Sequence, residues 1–361
     1  MAFTLSIHPW VHLAQYNGTE WIDNDLEQEH QTPEQEAALP EAELDALMVQ
    51  RNSFPGLPLV NYTTQYGLGC FEGLKAFPQP DGSLKLFRPD QNCQRMASSM
   101  KGLMMPAVKP ELLLDGIRRI VAKNAQLGFA PAYDAEWEKD HWLSGAAVYI
   151  RPFAYSEPGI GINLSKKPWV VTVCTNVSAY FTPGANAAVT SQRIRATKGG
   201  TGWIKTAANY VTSTLAKTEA INDGYMEAIF LDAETRENIE EGSSCNFFAL
   251  FPGGQLVTPE LGDTILPGIT RSSIIELARS KGYTVREEPL SIHRVLSDAK
   301  ECFVTGTAAG ITPLGSLTHD GVKKEFSSLE DGSTANTLLK ELKGIQYGAV
   351  KDGFNWMMDV K

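Results

Sequence analysis

The chain has 361 residues, of which 42 are acidic and 32 are basic, so its formal net charge is −10. With 43% hydrophobic and 20% charged residues, the composition is that of a folded protein of about two domains, which excludes a disordered or fibrous chain. The negative charge argues against a surface for nucleic acid or anionic lipid. The first residues lack the pattern of a secretory signal, and polar residues interrupt the longest uncharged run, 168–192, so we expect no membrane span.

The cysteines and histidines bear on the compartment and on metal binding. The five cysteines form no C-x-x-C pair, which is typical of reduced thiols in a cytoplasmic protein. His8 and His12 have helical spacing, but Pro9 lies between them and no acidic residue completes a zinc pattern. We therefore predict no metal site.

The first half of the chain changes character near Tyr62. Residues 1–60 have no regular pattern, and we expect a solvated acidic loop there, with one short helix from Glu41. Further along we predict a hairpin turn at Asp81-Gly82, helices over Arg88–Leu103 and Pro110–Leu127, and strands over Ala146–Arg151 and Pro168–Cys174.

Residues 177–186, which contain Pro183-Gly184, have the composition of a boundary between domains. This boundary gives an N-terminal domain, 1–176, and a C-terminal domain, 187–361. In the second domain we predict helices over Thr206–Asp223 and Ile269–Arg279, and strands over Tyr225–Leu231, Ile239–Phe251 and Gln255–Thr258. Because helices and hairpins are mixed, we expect an α+β or mixed α/β fold rather than a repeating βαβ sheet.

The run from Gly199 to Thr206 nearly matches the phosphate-binding loop G-x-x-x-x-G-K-[ST]. Lys205 is in register, but Ile204 replaces the second glycine, and a β-branched residue hinders the wrapping of the backbone around a phosphate. Asp232, the candidate magnesium ligand, lies in a predicted hairpin turn. A nucleotide triphosphatase is therefore a distant alternative, and the glycine run needs another explanation.

Four other segments, taken individually, have functional or structural interpretations. Lys205 follows an apolar Trp-Ile pair and precedes an uncharged helix, so its amine is either a desolvated nucleophile or an ordinary lysine at a helix end. Glu240 and Glu241 lie in an apolar strand, so one carboxylate faces inward and needs a cationic partner. Residues 266–271 open a helix, which is either a seat for phosphate or a plain junction. The small residues at 305–310 allow close approach of a ligand or tight packing.

Seven motifs occur in a fixed order, and their combination is more specific than any one of them. They are Tyr66-Gly-Leu-Gly-Cys-Phe71-Glu-Gly-Leu-Lys-Ala-Phe, Tyr149-Ile-Arg151-Pro, Gly199-Gly-Thr-Gly, Lys205-Thr-Ala-Ala-Asn-Tyr210, Glu241-Gly-Ser-Ser-Cys-Asn246, Leu266-Pro-Gly-Ile-Thr-Arg271 and Gly306-Thr-Ala-Ala. In order and spacing the set resembles the branched-chain amino-acid aminotransferases, pyridoxal-phosphate enzymes of fold type IV. The resemblance covers about residues 62–313. It implies a smaller N-terminal α/β domain, an interdomain loop and a larger C-terminal pseudo-barrel domain.

The resemblance also implies roles for individual residues around pyridoxal 5'-phosphate. Lys205 would form the Schiff base and move the proton from the substrate, Glu241 would keep the ring nitrogen protonated, and Tyr210 would bind the phenolic oxygen. The residues that would hold the phosphate are Arg95, Ile269, Thr270 and Thr307.

For the substrate, the matching positions form an aromatic lining with one cation. The lining residues are Tyr66, Phe71, Tyr149 and Tyr180, which suit the side chains of leucine, isoleucine and valine. Arg151 would receive the distal carboxylate of glutamate or 2-oxoglutarate. The α-carboxylate would meet the backbone at Thr307 and Ala308, with Ser244 nearby.

The implied activity is reversible amino transfer between these L-amino acids and 2-oxoglutarate, by a homodimer whose partners are small molecules. D-amino-acid transaminases and aminodeoxychorismate lyases share the lysine, the glutamate and the phosphate cup, and they are the nearest alternatives. The Tyr149-x-Arg151 pair, the glycine run and the chain length favour the branched-chain type. A non-catalytic relative is disfavoured because Lys205, Glu241 and Tyr210 are all present. The order of preference among the three amino acids, and a biosynthetic or degradative role, stay open.

Overall fold

The computed structural model describes residues 6–54, 56–178 and 186–360, which divide into two compact units. Unit 1 comprises Met1–Tyr180, Thr206–Ala208 and Ile345–Lys361, and unit 2 comprises Phe181–Lys205 and Asn209–Gly344. Most of the predicted interdomain loop, 177–186, lies outside the described residues. The predicted C-terminal domain includes residues 345–361. They belong to unit 1 instead, because their last strand pairs with a strand of the unit 1 sheet.

Strands and helices are mixed along the described residues. The strands are β1 Trp10–Tyr16, β2 Trp21–Glu27, β3 Leu74–Pro78, β4 Leu84–Phe87, β5 Ala147–Tyr155, β6 Trp169–Val177, β7 Ala187–Thr190, β8 Glu227–Leu231, β9 Asn238–Gly242, β10 Asn246–Phe251, β11 Gln255–Thr258, β12 Thr284–Glu287, β13 Leu290–Ser291, β14 Glu301–Gly306, β15 Gly310–Leu314, β16 Ser316–His319, β17 Val322–Glu325 and β18 Met357–Asp359. The α-helices are α1 Pro33–Ala37, α2 Glu41–Arg51, α3 Tyr62–Tyr66, α4 Pro89–Gly102, α5 Pro110–Gln126, α6 Asn209–Asn222, α7 Ile269–Ser280, α8 Ile292–Asp298 and α9 Thr334–Gln346. Two short 3-10 helices span Ala135–Asp140 and Ser327–Leu329.

Unit 1 is built on a sheet with the strand order β18-β4-β3-β5-β6-β1-β2, which has seven strands in the described residues. All its pairs are antiparallel. Helices α4 and α5 lie where the sequence predicted them, since their apolar residues recur at helical spacing and bury Met96, Leu113 and Ile117.

The expectation of an irregular segment over residues 1–60 is wrong for strands β1 and β2. Strand β1 lies between β6 and β2, and Val11, Leu13 and Ala14 are buried there. Strand β2 is at the sheet edge, and its sequence, Trp-Ile-Asp-Asn-Asp-Leu-Glu, is rich in residues that are rare in strands. Pairing with β1, rather than local propensity, makes this segment a strand. Helix α2 begins at Glu41, as predicted.

Burial of His8 gives unit 1 a specific acid sensitivity. Its ring packs against Phe129, with centroids 5.5 Å apart. Burial, followed by the positive charge of Arg51, lowers the pKa of His8 from 6.5 to about 3. Between these two values the unfolded chain binds the proton and the folded chain does not, so the stability from this group is complete above pH 6.5 and is lost as the pH falls.

We therefore expect His8→Phe to flatten the acid side of the stability profile. Urea denaturation at a series of pH values should show the free energy of unfolding of the wild type falling faster than that of the variant, by about 1.4 kcal/mol per pH unit below the unfolded pKa. Parallel profiles for the two proteins would contradict a buried neutral His8.

Unit 2 contains a larger sheet, with eleven strands in the described residues and the path β12-β11-β10-β9-β8-β7-β16-β17. Strand β13 pairs with β9, and β14 pairs with β10 and β15. Its pairs are mixed: β7 is parallel to β8 and β16, and β11 is parallel to β12, while the other pairs are antiparallel and include the hairpins β10–β11, β14–β15 and β16–β17. The core includes Ile229, Phe247 and Leu317. The mixed α/β architecture with hairpins is therefore confirmed.

Two predicted elements of unit 2 are corrected. Residues 239–251 are not one strand, because β9 ends at Gly242 and β10 begins at Asn246. The Gly242 N–H donates to the Cys245 carbonyl at 2.7 Å and closes a turn between them. Helix α6 begins at Asn209 instead of Thr206. In the part of the chain that the structure describes, we find no helix with the length and apolar character required to cross a membrane.

Candidate active site

Lys205 lies just before α6, and its amine contacts a phenol. Lys205 Nζ donates a hydrogen bond to the Tyr210 hydroxyl at 2.7 Å, and it lies 5.2 Å from the centre of the tyrosine ring. The preceding loop is tied to the helix by the Asn209 side chain, whose amide donates to the carbonyls of Thr201 and Ile204 at 2.7 and 2.9 Å. Because Ile204 is buried, the lysine is held at a defined point with a half-buried side chain.

Glu241, on β9, is a buried carboxylate that is bound at both oxygens. Oε1 lies 2.8 Å from the Arg195 guanidinium, and Oε2 accepts a hydrogen bond from the Asn246 amide at 3.0 Å. Burial raises the pKa of Glu241 to about 7, while the Arg195 charge and the Leu266 N–H oppose that rise. Of the acidic pair, Glu241 has the cationic partner that an inward carboxylate requires, and sequence analysis did not identify this partner.

Close packing of two backbones explains the last glycine of the run, Gly202. A Cβ on Gly202 would lie 2.6 Å from the Thr264 Cα and 2.7 Å from the Asp263 carbonyl oxygen. The Trp203 N–H donates to that same carbonyl at 3.0 Å. Only a residue without a side chain fits at this contact, so Gly202 serves packing against residues 263–264.

The Asp232 carboxylate accepts hydrogen bonds within its own turn, which is a different role from that of a magnesium ligand. Its carboxylate accepts hydrogen bonds from the backbone N–H groups of Thr235 and Asn238, at 2.7 and 2.8 Å. These bonds outweigh partial burial and lower the pKa of Asp232 to about 2. The carboxylate therefore closes the hairpin turn between β8 and β9, which removes the second element of the triphosphatase pattern. Among the described residues, no cluster of three or more His, Cys, Asp or Glu side chains is suited to a metal ion.

Helix α7 begins in a way that leaves its first N–H groups without a side-chain cap. Gly268 is the N-cap residue, and no side chain makes a capping hydrogen bond there. A Cβ on Gly268 would lie 2.0 Å from the Asn246 Oδ1 atom. Asn246 also donates to the Leu266 carbonyl at 3.0 Å, so the helix start and Glu241 share one anchoring side chain. Ile269 and Thr270 form the first turn and are suited to an anion.

Two turns of unit 2 carry the other candidate residues. Ser244 lies in the turn between β9 and β10, and Thr307 and Ala308 lie in the turn between β14 and β15. Because Asn246 pairs with Thr305 across β10 and β14, the two turns lie at the same end of neighbouring strands. The first turn is also fixed by Glu227, whose carboxylate accepts from the Ser243 N–H at 3.1 Å, a support that sequence analysis missed.

In unit 1, Arg95 on α4 makes a two-point ion pair with Glu72. Its Nε and one terminal nitrogen donate to the two carboxylate oxygens at 2.7 and 2.9 Å. Asn92 donates to the same carboxylate at 2.8 Å, and Glu72 is fully buried. Sequence analysis named Arg95 but not Glu72, which fixes the direction of its guanidinium.

The predicted aromatic residues of unit 1 are placed in part. The Arg151 guanidinium donates to the Tyr149 hydroxyl at 2.6 Å and lies 4.6 Å from the centre of the Phe71 ring, so these three residues form one cluster. A Cβ on Gly73 would lie 2.2 Å from the Tyr149 hydroxyl, so this glycine makes room for the phenol. Tyr66 ends α3 half exposed. The remaining member of the predicted lining, Tyr180, lies outside the described residues.

The described residues combine a mixed α/β fold, a lysine amine beside a phenol and a buried carboxylate, a set of groups that suits reactive-amine chemistry. Residues 69–317 match the family model of the class IV amino-transferases, and the chain belongs to this family. Branched-chain-amino-acid transaminase 1 of Bacillus subtilis (strain 168) is 37% identical over 308 residues, which cover 82% of each chain.

Solved structures agree with this assignment. A branched-chain amino acid aminotransferase of T.th., in complex with N-(5'-phosphopyridoxyl)-L-glutamate, is similar with a TM-score of 0.70 and 27% identity, over 85% of this chain and 94% of that one. The same protein with pyridoxamine 5'-phosphate has a TM-score of 0.70 and 26% identity, over 90% and 96% of the two chains. The predicted family and the fold-type IV architecture are confirmed.

Proposed function

We propose that this chain is a pyridoxal-phosphate-dependent aminotransferase that exchanges an amino group between L-leucine, L-isoleucine or L-valine and 2-oxoglutarate. The observation that carries the proposal is the Lys205 amine, held 2.7 Å from the Tyr210 hydroxyl in a chain of the class IV family. The relatives named above act on branched-chain amino acids, and they cover most of this chain.

The residues of unit 2 fit pyridoxal phosphate by the chemistry of their donors. The lysine amine suits an aldehyde, and the phenol suits a phenolic oxygen. The buried carboxylate suits a ring nitrogen, and the uncapped helix start suits a phosphate. When bound, the cofactor supplies a carbonyl group that joins amines and a ring that withdraws electrons from the substrate. We assign Lys205, Tyr210, Glu241, Ile269, Thr270 and Thr307 to it, together with Arg95 of unit 1.

These side chains have separate tasks in the reaction. Lys205 Nζ takes up the proton that leaves the substrate Cα, and its hydrogen bond to Tyr210 fixes its direction. Glu241 would hold the ring nitrogen of the bound cofactor with a negative charge, which would favour the protonated ring and its withdrawal of electrons. The N–H groups at the start of α7 orient the phosphate.

Substrate recognition is assigned to the Phe71–Tyr149–Arg151 cluster together with Tyr66 and Tyr180. Aromatic faces suit aliphatic side chains, and the guanidinium suits the distal carboxylate of glutamate or 2-oxoglutarate. The α-carboxylate is assigned to the backbone of Thr307 and Ala308, with Ser244 nearby. One site can therefore serve both partners of the exchange.

The visible absorption spectrum of the purified protein tests the function. We expect a yellow cofactor band that L-leucine shifts and 2-oxoglutarate restores. A band that only D-alanine shifts would keep the cofactor and change the substrate to that of a D-amino-acid transaminase. No band after supply of pyridoxal phosphate would overturn the proposal.

Replacing Arg151 should separate the two substrates. In Arg151→Met the distal carboxylate loses a charged hydrogen-bond donor, a contact of about 1.5–3 kcal/mol, so kcat/KM for 2-oxoglutarate should fall about tenfold to a hundredfold. The value for L-leucine, measured with 2-oxobutyrate as the acceptor, should change much less, because neither substrate has a distal carboxylate. Equal losses in these two kcat/KM values would contradict the role of Arg151.

We also propose that the protein is a homodimer in the cytoplasm. Exposed apolar side chains in unit 1 support self-association, since Leu59 is 81% and Ile162 is 95% exposed. The free cysteines support a reducing compartment. Sedimentation equilibrium of the holoenzyme tests the assembly, and a monomer at micromolar concentration would refute it.

A further inference from the structure

Arg195 is a cation of unit 2 with a buried side chain, and the proposed reaction has not used it. Its side chain is only 5% exposed. One terminal nitrogen donates to the Thr264 carbonyl at 2.7 Å, and the other donates to the Gly202 carbonyl at 3.2 Å and lies 2.8 Å from Glu241 Oε1. The guanidinium therefore joins the glycine run, the facing loop and the buried carboxylate.

This arrangement affects whether the Glu241 carboxyl is ionised or protonated. A carboxylate removed from water favours its neutral form, and a neutral carboxyl gives no charge to hold a protonated ring nitrogen. A fixed cation at contact distance favours the ionised carboxylate, and a guanidinium cannot give up its own proton to do so. The effect acts at Glu241 first, because the ion pair is made there.

We infer that Arg195 is a positioning residue that keeps Glu241 ionised and aimed, so that the proton shared between Glu241 and the cofactor ring stays on the ring nitrogen. The inference rests on the proposed function for the identity of the cofactor. It adds a residue of this chain to that site through its contact with Glu241.

The other groups around Glu241 have weaker effects on its ionisation than Arg195 has. Asn246 and the Leu266 N–H bind the carboxylate but are neutral donors. The neighbouring Glu240 is a like charge that opposes ionisation, and Lys205 is a more distant cation that favours it. Arg195 is the largest opposing influence against burial at this carboxylate. Removing its charge should therefore raise the pKa of Glu241 further.

The test compares Arg195→Gln with Arg195→Lys, and with Arg193→Gln as a matched control. Arg193 lies two residues away, but its ion pair with Glu219 is exposed on both sides. The first measurement uses cofactor-free protein at about pH 8, one unit above the pKa of Glu241. The infrared spectrum of each protein is compared with that of the same protein carrying Glu241→Gln in addition. The difference between the two spectra shows whether the Glu241 carboxyl is protonated. We expect the protonated carboxyl in Arg195→Gln only, with the ionised form in wild type, Arg195→Lys and Arg193→Gln.

In protein loaded with 15N-labelled pyridoxal phosphate, the ring-nitrogen resonance should move toward the neutral-pyridine position in Arg195→Gln and stay in place in Arg195→Lys. The value of kcat should fall at least about tenfold in Arg195→Gln. An ionised Glu241 in cofactor-free Arg195→Gln overturns the inference, and so does an unmoved resonance in its loaded fraction, even if that variant is less stable. Failure of the wild type to load the cofactor would instead count against the proposed function, while the infrared measurement would still decide the effect of Arg195 on Glu241.

Discussion

Lys205→Ala is expected to abolish transamination while leaving the protein folded. The reason is chemical: Lys205 Nζ donates a hydrogen bond of 2.7 Å to the Tyr210 hydroxyl, and both cofactor linkage and proton transfer are assigned to this nitrogen. The substitution removes a half-buried cation and leaves the buried Glu241 paired with Arg195, so the melting temperature of the cofactor-free protein should change little. Turnover of L-leucine with 2-oxoglutarate should fall to the uncatalysed background.

Lys198→Ala is the matched control for this experiment. Lys198 lies in the same loop region, but its side chain is 75% exposed and pairs with Glu234 on the surface. Its replacement should leave both the cofactor band and kcat unchanged. Partial recovery of turnover in Lys205→Ala on addition of ethylamine would support an amine role in proton transfer. Transamination by Lys205→Ala near the wild-type rate would refute the assignment.

Local pattern is enough to predict the helices that carry their own signal. Helices α4, α5 and α7 each have apolar residues at helical spacing, and the structure confirms them. Strand β2 has no such signal, because its Asp and Asn residues are rare in strands and only pairing with β1 holds it extended. The break between β9 and β10 was missed for a similar reason. The turn between them is marked only by Gly242, and a single glycine in an apolar run is as typical of a bulge within one strand as of a turn.

The residues of the candidate site also fall into two groups: those that sequence motifs can identify and those that only the fold identifies. Lys205, Tyr210 and Glu241 could be named as candidates from the sequence because each lies in a motif whose order along the chain is specific, and their roles stay predictions. Arg195 could not be predicted, since the choice of its partner depends on how the glycine run packs against residues 263–264. The pairing of Arg95 with Glu72 is also a tertiary contact, 23 residues apart in sequence. Side-chain chemistry predicts that a buried charge needs a partner, whereas only the fold identifies which one.

Glu241→Gln is expected to cost catalysis more than stability. Glutamine keeps the shape of the side chain and can accept a hydrogen bond from Asn246, but it has no negative charge for the ring nitrogen. We expect kcat for L-leucine to fall by about 10²-fold or more, with weaker retention of pyridoxal phosphate. A variant with the wild-type kcat would exclude Glu241 from the reaction.

Glu241→Ala should lose more stability than Glu241→Gln, because it leaves the buried Arg195 with neither a counter-charge nor a hydrogen-bond acceptor at this position. Removing one partner of a buried pair costs about 3–5 kcal/mol. The double variant Glu241→Ala, Arg195→Met removes both charges, so urea denaturation of cofactor-free protein should show much of that loss restored. The rate should not return with the stability, since the ring nitrogen still lacks its carboxylate. If stability and kcat recovered together in the double variant, Glu241 would serve the fold alone, and its place opposite the ring nitrogen would have to be abandoned.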